Sequence, residues 1–157
     1  MSQPARDSGF TLIEVMVTIA LLGIVMAFAV SGWSAWARSS EQSGTARELQ
    51  SLMRQTQQRA VTEGRAMCVQ FEVSANNYSV YRGACGDPAR VRVGGPFKTD
   101  GAQVHVASPS FAGTPSTGVT FFARGTATQG SVEVIRTDSS KLYTLVVEGL
   151  TGRVSLS

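Results

Sequence analysis

The sequence contains few of the residues that build catalytic and metal sites. There is one histidine, His105, and there are two cysteines, which do not complete a zinc-binding set. Serine and acidic residues are present, but no segment resembles a nucleophile elbow or a triad motif. His105 alternates with Val104 and Val106, as expected of a residue on the polar face of a strand. We therefore expect no enzymatic activity, no bound metal and no cofactor.

Charged residues and prolines are also scarce. Charged residues make up 16% of the chain, and 14 basic against 11 acidic residues give a net charge of +3. That balance is mild and does not by itself indicate a nucleic-acid partner. No proline lies between Pro4 and Pro88, so a long helix can run through this stretch. The length of 157 residues suits one domain with an anchor, but not two full domains.

The most unusual stretch lies near the N-terminus. Residues 1–9 are polar and precede 21 residues, Phe10 to Val30, that carry a single charge, Glu14. A helix of that length spans the hydrocarbon core of a bilayer, about 30 Å thick. A carboxylate inside it costs about 2–3 kcal/mol, and ionisable residues in such segments usually have a function. Since no small-residue cleavage site follows, residues 10–30 are predicted to be a retained transmembrane anchor.

The helix is predicted to continue as an amphipathic segment over residues 35–63, so that the whole helix covers residues 10–64. Apolar residues recur there at helical spacing and form one stripe. The stripe consists of Ala46, Leu49, Leu52, Met53, Thr56 and Ala60. The opposite, polar face consists of Glu41, Arg47, Arg54, Gln58 and Arg59. The first half of the helix therefore needs lipid or other helices around it, and the second half needs a sheet packed on its stripe.

Residues 65–157 are predicted to form an antiparallel β domain, because the hydrophobic period changes to two after Gly64. The predicted strands are Cys68–Val73, Tyr78–Tyr81, Val119–Ala123, Val132–Arg136, Leu142–Val147 and Arg153–Leu156. The stretch 86–117 is rich in glycine, proline and serine. It is predicted to be mostly loop, with short strands at Val91–Val93 and Val104–Val106.

The two cysteines, Cys68 and Cys85, are predicted to form a disulfide. Asn76-Asn77 signals a two-residue turn, and the resulting register places Cys68 opposite Cys85. In that register the two Cα atoms would lie about 4.5 Å apart, a distance that a disulfide bridges. Pairing requires that this part of the chain leave the cytoplasm. Free thiols or metal ligands are the alternatives.

Segments at both ends and in the middle of the chain resemble one protein family. Gly9-Phe10-Thr11-Leu12-Ile13-Glu14 resembles the processing motif of type IV prepilins and type II secretion pseudopilins. The later segments resemble the GspH/FimT branch of minor pilins and pseudopilins. They are Ala60-Val61-Thr62-Glu63-Gly64-Arg65, Gly118-Val119-Thr120-Phe121-Phe122 with Gly125, Leu145-Val146-Val147, and Gly152-Arg153-Val154.

The resemblance implies a type IV pilin-like fold of the α+β class, with a long N-terminal helix packed on a C-terminal antiparallel β domain. It also implies that residues 1–9 are a leader, which a prepilin peptidase removes by cutting after Gly9 on the cytoplasmic side. Phe10 then becomes the N-methylated N-terminus of a subunit held in the inner membrane, with its β domain outside the cytoplasm. An assembly platform would move this subunit into a filament of other pilin or pseudopilin subunits. There it would help to initiate or cap a type IV pilus or a type II secretion pseudopilus.

Glu14 has a defined role under this resemblance. It lies one helical turn from Phe10, whose new amine is a cation within an apolar bundle. In the family, the partner of this carboxylate is the amine of a neighbouring subunit, an arrangement that fixes axial register. A glutamate that reaches the lipid headgroups is the alternative.

The sequence departs from the family pattern in three places. The leader carries one arginine and one aspartate instead of a strong positive charge, and Ser31-Gly32 stands where many major pilins have a proline. FimT-like pilins that capture DNA resemble each other in a Gly-Arg-x-Arg tail, whose second arginine is missing from Gly152-Arg153-Val154-Ser155.

The alternative function is that of a FimT-like minor pilin that captures DNA for a competence pilus. Phosphates would be contacted by the basic residues Arg82, Arg90, Arg92, Lys98 and Arg153. A third possibility is a single-pass anchored domain that never polymerises.

Overall fold

The computed structural model describes residues 10–99, 103–138, 140 and 142–157; the side chains of residues 29–32 and 34–39 lie outside this description. The chain divides after residue 39 into two compact units. One helix, α1, covers Leu12–Thr62. Its residues up to 39 belong to the first unit, and its residues from 40 onward belong to the second. Two antiparallel sheets complete the second unit. The predicted α+β class is confirmed.

The helix α1 ends in a glycine-based cap at the predicted position. Gly64 adopts a φ of +63°, and the Arg65 N–H donates to Ala60 O at 3.1 Å. The Gly64 N–H donates to Val61 O at 3.3 Å. The two bonds form a Schellman motif, which satisfies carbonyl groups that the helix itself leaves unpaired.

Among the described residues, eight strands form two four-stranded sheets. The strands are β1 (Met67–Glu72), β2 (Asn77–Arg82), β3 (Val91–Lys98), β4 (Val104–Phe111), β5 (Gly118–Phe121), β6 (Gly130–Arg136), β7 (Leu142–Val147) and β8 (Val154–Leu156). The first sheet has the order β3-β2-β1-β5 and the second has the order β4-β6-β7-β8. Neighbouring strands are antiparallel throughout.

One hydrophobic core joins α1 to both sheets. The predicted stripe of α1 is confirmed, because Ala46, Leu49, Met53, Thr56 and Ala60 are buried and Leu52 packs against the core. Fully burying a leucine or methionine side chain contributes about 1.5–3 kcal/mol. The sheets meet where Phe71 of β1 stacks on Phe111 of β4, with ring centroids 5.9 Å apart.

Polar side chains also tie α1 to the second sheet. Gln42 Nε2 donates to Val134 O of β6 at 3.2 Å. Further along the helix, Gln50 Nε2 and Arg54 Nη2 donate to Val154 O of β8, at 3.2 Å and 3.0 Å. These bonds satisfy backbone carbonyl groups that face the helix.

Near its C-terminal end, α1 holds two turns of the second unit. Gln57 Nε2 donates to Gly125 O at 3.2 Å and to Thr151 O at 2.9 Å. Gly152, with a φ of +62°, lies so close to Gly125 O and Gln57 that a side chain at this position would collide with both. The turns at Gly125 and Gly152, both in segments that resemble GspH/FimT proteins, therefore pack closely together. We call this contact between Gly125, Gly152 and Gln57 the joint.

The β1–β2 hairpin differs from the predicted one. Its connection is a 3₁₀ turn, Val73–Ala75, which Asn76 closes with a φ of +49°. The predicted two-residue turn is wrong, and so is the predicted register, because Cys68 pairs with Tyr81 and not with Cys85. The turn is longer because Asn76 tolerates the left-handed region and its side chain has partners elsewhere.

Asn76 joins the two sheets. Its Nδ2 donates to Val104 O at 2.9 Å, and its Oδ1 accepts the Val106 N–H at 3.1 Å. Both partners lie in β4, so the asparagine side chain occupies the edge of the second sheet in the place of a neighbouring strand.

The stretch 86–117 contains more strand than predicted. The short strands expected at Val91–Val93 and Val104–Val106 are correctly placed, but β3 and β4 each extend to eight residues. Their prolines are tolerated because both strands lie at sheet edges, and Pro109 falls at an irregularity in the β4–β6 pairing. Composition therefore underestimated strand content here, since pairing decides β structure more than propensity does.

Candidate functional site

Thr11 caps the N-terminal end of α1. Its Oγ1 accepts the Glu14 N–H at 3.3 Å, and its backbone O accepts the same N–H at 3.1 Å. Glu14 thus lies in the first turn, where a carboxylate interacts favourably with the helix dipole. Phe10 lies just outside the helix, one turn from Glu14. The predicted leader with Gly9 lies outside the described residues.

The first part of α1 exposes its apolar side chains. Every large apolar side chain from Phe10 to Phe28 is 46–81% exposed, whereas the stripe from Ala46 to Ala60 is buried. Of the described residues, no helix combines the length and apolarity required of a membrane span. The transmembrane assignment of residues 10–30 stays a prediction. Burying this surface would be strongly favourable, since apolar surface in contact with water is costly.

The Cys68–Cys85 disulfide is present, although its geometry differs from the predicted one. Cys68 lies in β1 and Cys85 in the turn after β2, with Cα atoms 5.0 Å apart. Residues 83–90, which we call the strap, lie over the face of the first sheet that carries Cys68. The Cys85 N–H donates to Thr120 Oγ1 of β5 at 3.0 Å, so the strap is attached to two strands.

Arg90 holds the end of the strap. Its Nη1 donates to Cys85 O at 2.5 Å and to Gln70 Oε1 at 3.2 Å. Its guanidinium also lies 4.5 Å from the ring centroid of Tyr81, a cation–π contact. Arg92 approaches the same ring at 5.9 Å. Arg90 therefore has an internal structural role.

Arg82 pairs with Glu63 at the end of α1. Its Nε lies 3.1 Å from Glu63 Oε2, and Arg59 donates to Glu63 Oε1 from the preceding helical turn. These contacts lower the pKa of Glu63 below its ordinary value. The hydrogen bond from Arg59 has the largest effect, partial burial opposes it, and Arg82 adds attraction and a further hydrogen bond.

The five basic residues predicted to contact DNA are distributed over both sheets. Arg82, Arg90 and Arg92 have the contacts described above, and Lys98 is exposed at the end of β3. Arg153 precedes β8 and lines a groove with Arg54 of α1. DNA binding by this set stays a prediction.

A buried cation was not predicted from the sequence. The Arg136 side chain is only 5% exposed at the end of β6, 3.6 Å from the Glu41 carboxylate of α1. It also pairs with the Asp138 carboxylate and donates to Gln103 Oε1 at 2.6 Å. One sequence feature could have indicated this burial: an arginine at the end of an apolar strand, followed two residues later by an aspartate. The cluster ties the start of the second unit's helix to β6.

Metal-ligating side chains do not cluster in the part of the chain that the structure describes. There, no three histidine, cysteine, aspartate or glutamate side chains come close enough to hold an ion. His105 Nε2 lies 3.0 Å from Thr137 Oγ1. The expected lack of metal and cofactor stays a prediction.

Two family models match the chain. Residues 45–151 match the type II transport protein GspH, and residues 4–30 match the prokaryotic N-terminal methylation motif. The first match covers more than half of the chain. The chain belongs to the GspH family. Among curated proteins, no relative matches this sequence.

Solved structures of minor pilins and pseudopilins have the fold of this GspH-family chain. The type IV minor pilin FimU of Pseudomonas aeruginosa has a TM-score of 0.60 at 18% identity, over 78% of this chain and 92% of that one. The minor pseudopilin EpsH of Vibrio cholerae has a TM-score of 0.58 at 12% identity, over 74% and 96%. Escherichia coli GspH has a TM-score of 0.53 at 15% identity, over 75% and 88%. At these identities the likeness concerns the fold.

Membership of the family confirms the resemblance drawn from the sequence. The family consists of structural pilin and pseudopilin subunits. Its members assemble with other pilins after processing by a prepilin peptidase, and the methylation motif is that of a membrane-anchored pilin.

Proposed function

We propose that this GspH-family chain is a processed minor subunit that helps to initiate or cap a type IV pilus or a type II secretion pseudopilus. The observation that carries the proposal is the contrast between the two parts of α1. From Phe10 to Phe28 the helix exposes its apolar side chains, while the second unit completes a core of its own. A helix of this kind must be covered from outside, first by lipid and then by the helices of neighbouring subunits.

Processing would occur at the junction of leader and helix. A prepilin peptidase would cut after Gly9, and the new amine of Phe10 would be methylated. This step is supported by the methylation motif over residues 4–30 and by the exposure of Phe10 next to the Thr11 cap. The remaining chain then begins within one turn of Glu14, the single carboxylate of residues 10–30.

Glu14 would direct assembly. In an apolar bundle, an unpaired carboxylate and an unpaired amine are each costly, and pairing the two offsets part of that cost. If the Glu14 carboxylate binds the Phe10 amine of a neighbouring subunit, helices are attracted and their axial offset is fixed. The subunit would act through this contact, as a structural component and not as an enzyme.

The chain would start in the inner membrane, with its N-terminus in the cytoplasm and residues 65–157 outside it. The disulfide supports this orientation, because such bonds form and persist in oxidising compartments. Its partners would then be the prepilin peptidase, the assembly platform and the other pilin subunits.

Mass spectrometry of the mature chain tests the proposal directly. In cells that contain a prepilin peptidase we expect an N-terminal methyl-Phe10, and in cells without the peptidase we expect the leader to be retained. An intact leader in both strains, or a cut elsewhere, would sink the proposal.

The substitution Glu14→Val tests the assembly step. We expect normal insertion and cleavage but at least about tenfold less incorporation into filaments, because the partner amine is left unpaired in an apolar bundle. Incorporation is measured by blotting sheared filaments against the membrane fraction. Glu48→Val is the matched control, since it removes an exposed carboxylate from the second half of α1. Equal incorporation of both variants would show that Glu14 is dispensable.

A further inference from the structure

Among the described residues the two sheets have four outer edges, and the chain itself covers three of them. The outer edge of β5 pairs with the turn that follows it, through a Phe121–Ala127 bridge and a Thr128 N–H bond to Thr120 O. The edge of β4 binds the side chain of Asn76, as described above. The edge of β8 accepts the bonds from α1 at its Val154 carbonyl.

The outer edge of β3 has no such cover within the described residues. One side of β3 pairs with β2, and no backbone hydrogen bond from another described residue reaches the other side. The strand is also the most exposed of the eight, and Val91 is 61% exposed. Because unpaired strand edges are templates for another chain, natural proteins usually block them.

Three features that block a strand edge lie at one end of β3. Gly95 has a φ of +89°, Pro96 offers no N–H, and Lys98 adds a charge. The pairing with β2 shifts register twice, once at this end between Phe97 and Gly94, and once between Gly94 and Arg92. The other half, Val91–Gly94, contains no proline or lysine, so this half is open to a partner strand.

The side chains of the open half indicate what kind of partner fits. Arg92 lies on the face of the sheet that carries Tyr81, beside Arg90. Val91 is exposed and Val93 packs against the core, on the opposite face. A partner strand would therefore place acidic side chains on the arginine face and apolar side chains on the valine face.

We propose that the Val91–Gly94 edge of β3 binds an extended segment of another protein, in which acidic and apolar residues alternate. Main-chain hydrogen bonds would supply affinity, and the charge pattern would supply selectivity. A second copy of this chain fits less well, because pairing two β3 edges would bring like charges together. The inference does not depend on processing or on filament entry.

Hydrogen exchange on the full chain in detergent tests the proposal, with synthetic peptides as probes. The first peptide is as long as β3 and alternates valine with glutamate. The second has the same sequence with N-methyl groups on alternate residues, and the third has lysine in place of glutamate. We expect the first peptide alone to slow exchange of the amides in Val91–Gly94 by at least about tenfold. Absence of this protection, or equal protection by the N-methylated or lysine peptide, would overturn the proposal.

Two charge variants separate the β3 edge from general electrostatic attraction. Arg92→Glu should weaken binding of the glutamate peptide about fivefold, since like charges then face each other across the pair. Arg124→Glu makes the same charge change in the turn beyond β5, at the other edge of the sheet, and should leave binding unchanged. Equal losses in both variants would overturn the assignment to β3. Protection of β3 without peptide that rises with protein concentration would assign this edge to a second copy instead.

Discussion

Glu63 connects the end of α1 to the first sheet through two arginines. Because Arg59 and Arg82 both bind its ionised form, the folded-state pKa lies below the ordinary value of 4.5. The ionised carboxylate therefore stabilises the folded state. This contribution is fully present above the unfolded pKa and is lost as the pH falls through the folded pKa.

Replacing this carboxylate should have a pH-dependent effect. Glu63→Gln is expected to lower the urea midpoint slightly at pH 7, and the difference from wild type should disappear in strongly acidic solution. The effect stays small because the ion pairs are partly exposed to solvent. Glu72→Gln, which neutralises an exposed carboxylate in β1, is the matched control, and Glu63→Gln should lower the urea midpoint more than it does at pH 7. A constant difference across the pH range would contradict the assigned cause.

Gly64 and Gly152 have nearly the same φ but different surroundings. Comparing them therefore separates backbone strain from steric crowding of a side chain. Gly64 and Gly152 have φ values of +63° and +62°, but Gly64 faces open space and Gly152 faces Gly125 O and Gln57. Only the second position combines a left-handed backbone with a close approach.

The substitutions Gly64→Ala and Gly152→Ala should therefore differ. Gly64→Ala is expected to lower the free energy of unfolding by about 1 kcal/mol, the cost of the left-handed backbone. Gly152→Ala should cost at least about 1–2 kcal/mol more, because the new Cβ collides with the joint. Urea unfolding measures both values, and equal losses would show that the joint rearranges without cost.

At the scale of elements, the helix was more predictable than the sheets. Apolar spacing located its stripe, and Gly64 located its end within two residues. The polar ties at Gln42, Gln50 and Gln57 were not predicted, although they lie at spacings that continue the stripe. From the sequence, a glutamine at such a position is predicted to lie on the surface, because its carbonyl partners are distant in the chain.

The β1–β2 hairpin shows the limit of turn signals. Asn76-Asn77 suggested a two-residue turn, but the conformation depends on Asn76 binding β4, about thirty residues away. The cysteine pairing was nevertheless right. The strap brings Cys85 over β1, so the disulfide forms although Cys85 is not the residue paired with Cys68 across the strands.

Removing the disulfide should weaken the second unit. The double variant Cys68→Ala/Cys85→Ala is expected to lose about 3 kcal/mol of stability, since the bond closes a loop between residues separated by 17 positions. Proteolysis should then begin in the strap, residues 83–90. Wild type under reducing conditions is the matched control and should approach the variant. Equal stability of the oxidised wild type and the variant would show that the hydrogen bonds of the strap, including those of Arg90 and Thr120, hold it without the disulfide.

At the scale of the whole molecule, the two units have opposite solvent requirements. The second unit buries its apolar residues internally, and no described buried side-chain nitrogen or oxygen lacks a hydrogen-bond partner. The apolar helical segment of the first unit exposes its side chains. Hydropathy predicted this division from the sequence. The roles of Phe10 and Glu14 follow from the family resemblance and stay predictions. The sequence did not predict Arg136, whose burial depends on contacts with α1 and with a turn.

Truncation should separate the two requirements. A fragment of residues 40–157 is expected to be monomeric without detergent and to unfold cooperatively in urea. The full chain should self-associate without detergent and become monomeric with it. Sedimentation and circular dichroism measure both properties. A fragment without cooperative unfolding would show that the second unit needs the preceding helix.

The side-chain ties along α1 also determine how the second unit bears force. Gln42, Gln50 and Gln57 bind the sheet and its turns over about 22 Å of helix, at 1.5 Å per residue. A pull along the helix axis strains these bonds in parallel, so each carries a share of the load. A pull across the axis would break them one after another. A subunit drawn by its N-terminal end therefore resists the withdrawal of its helix from its own domain.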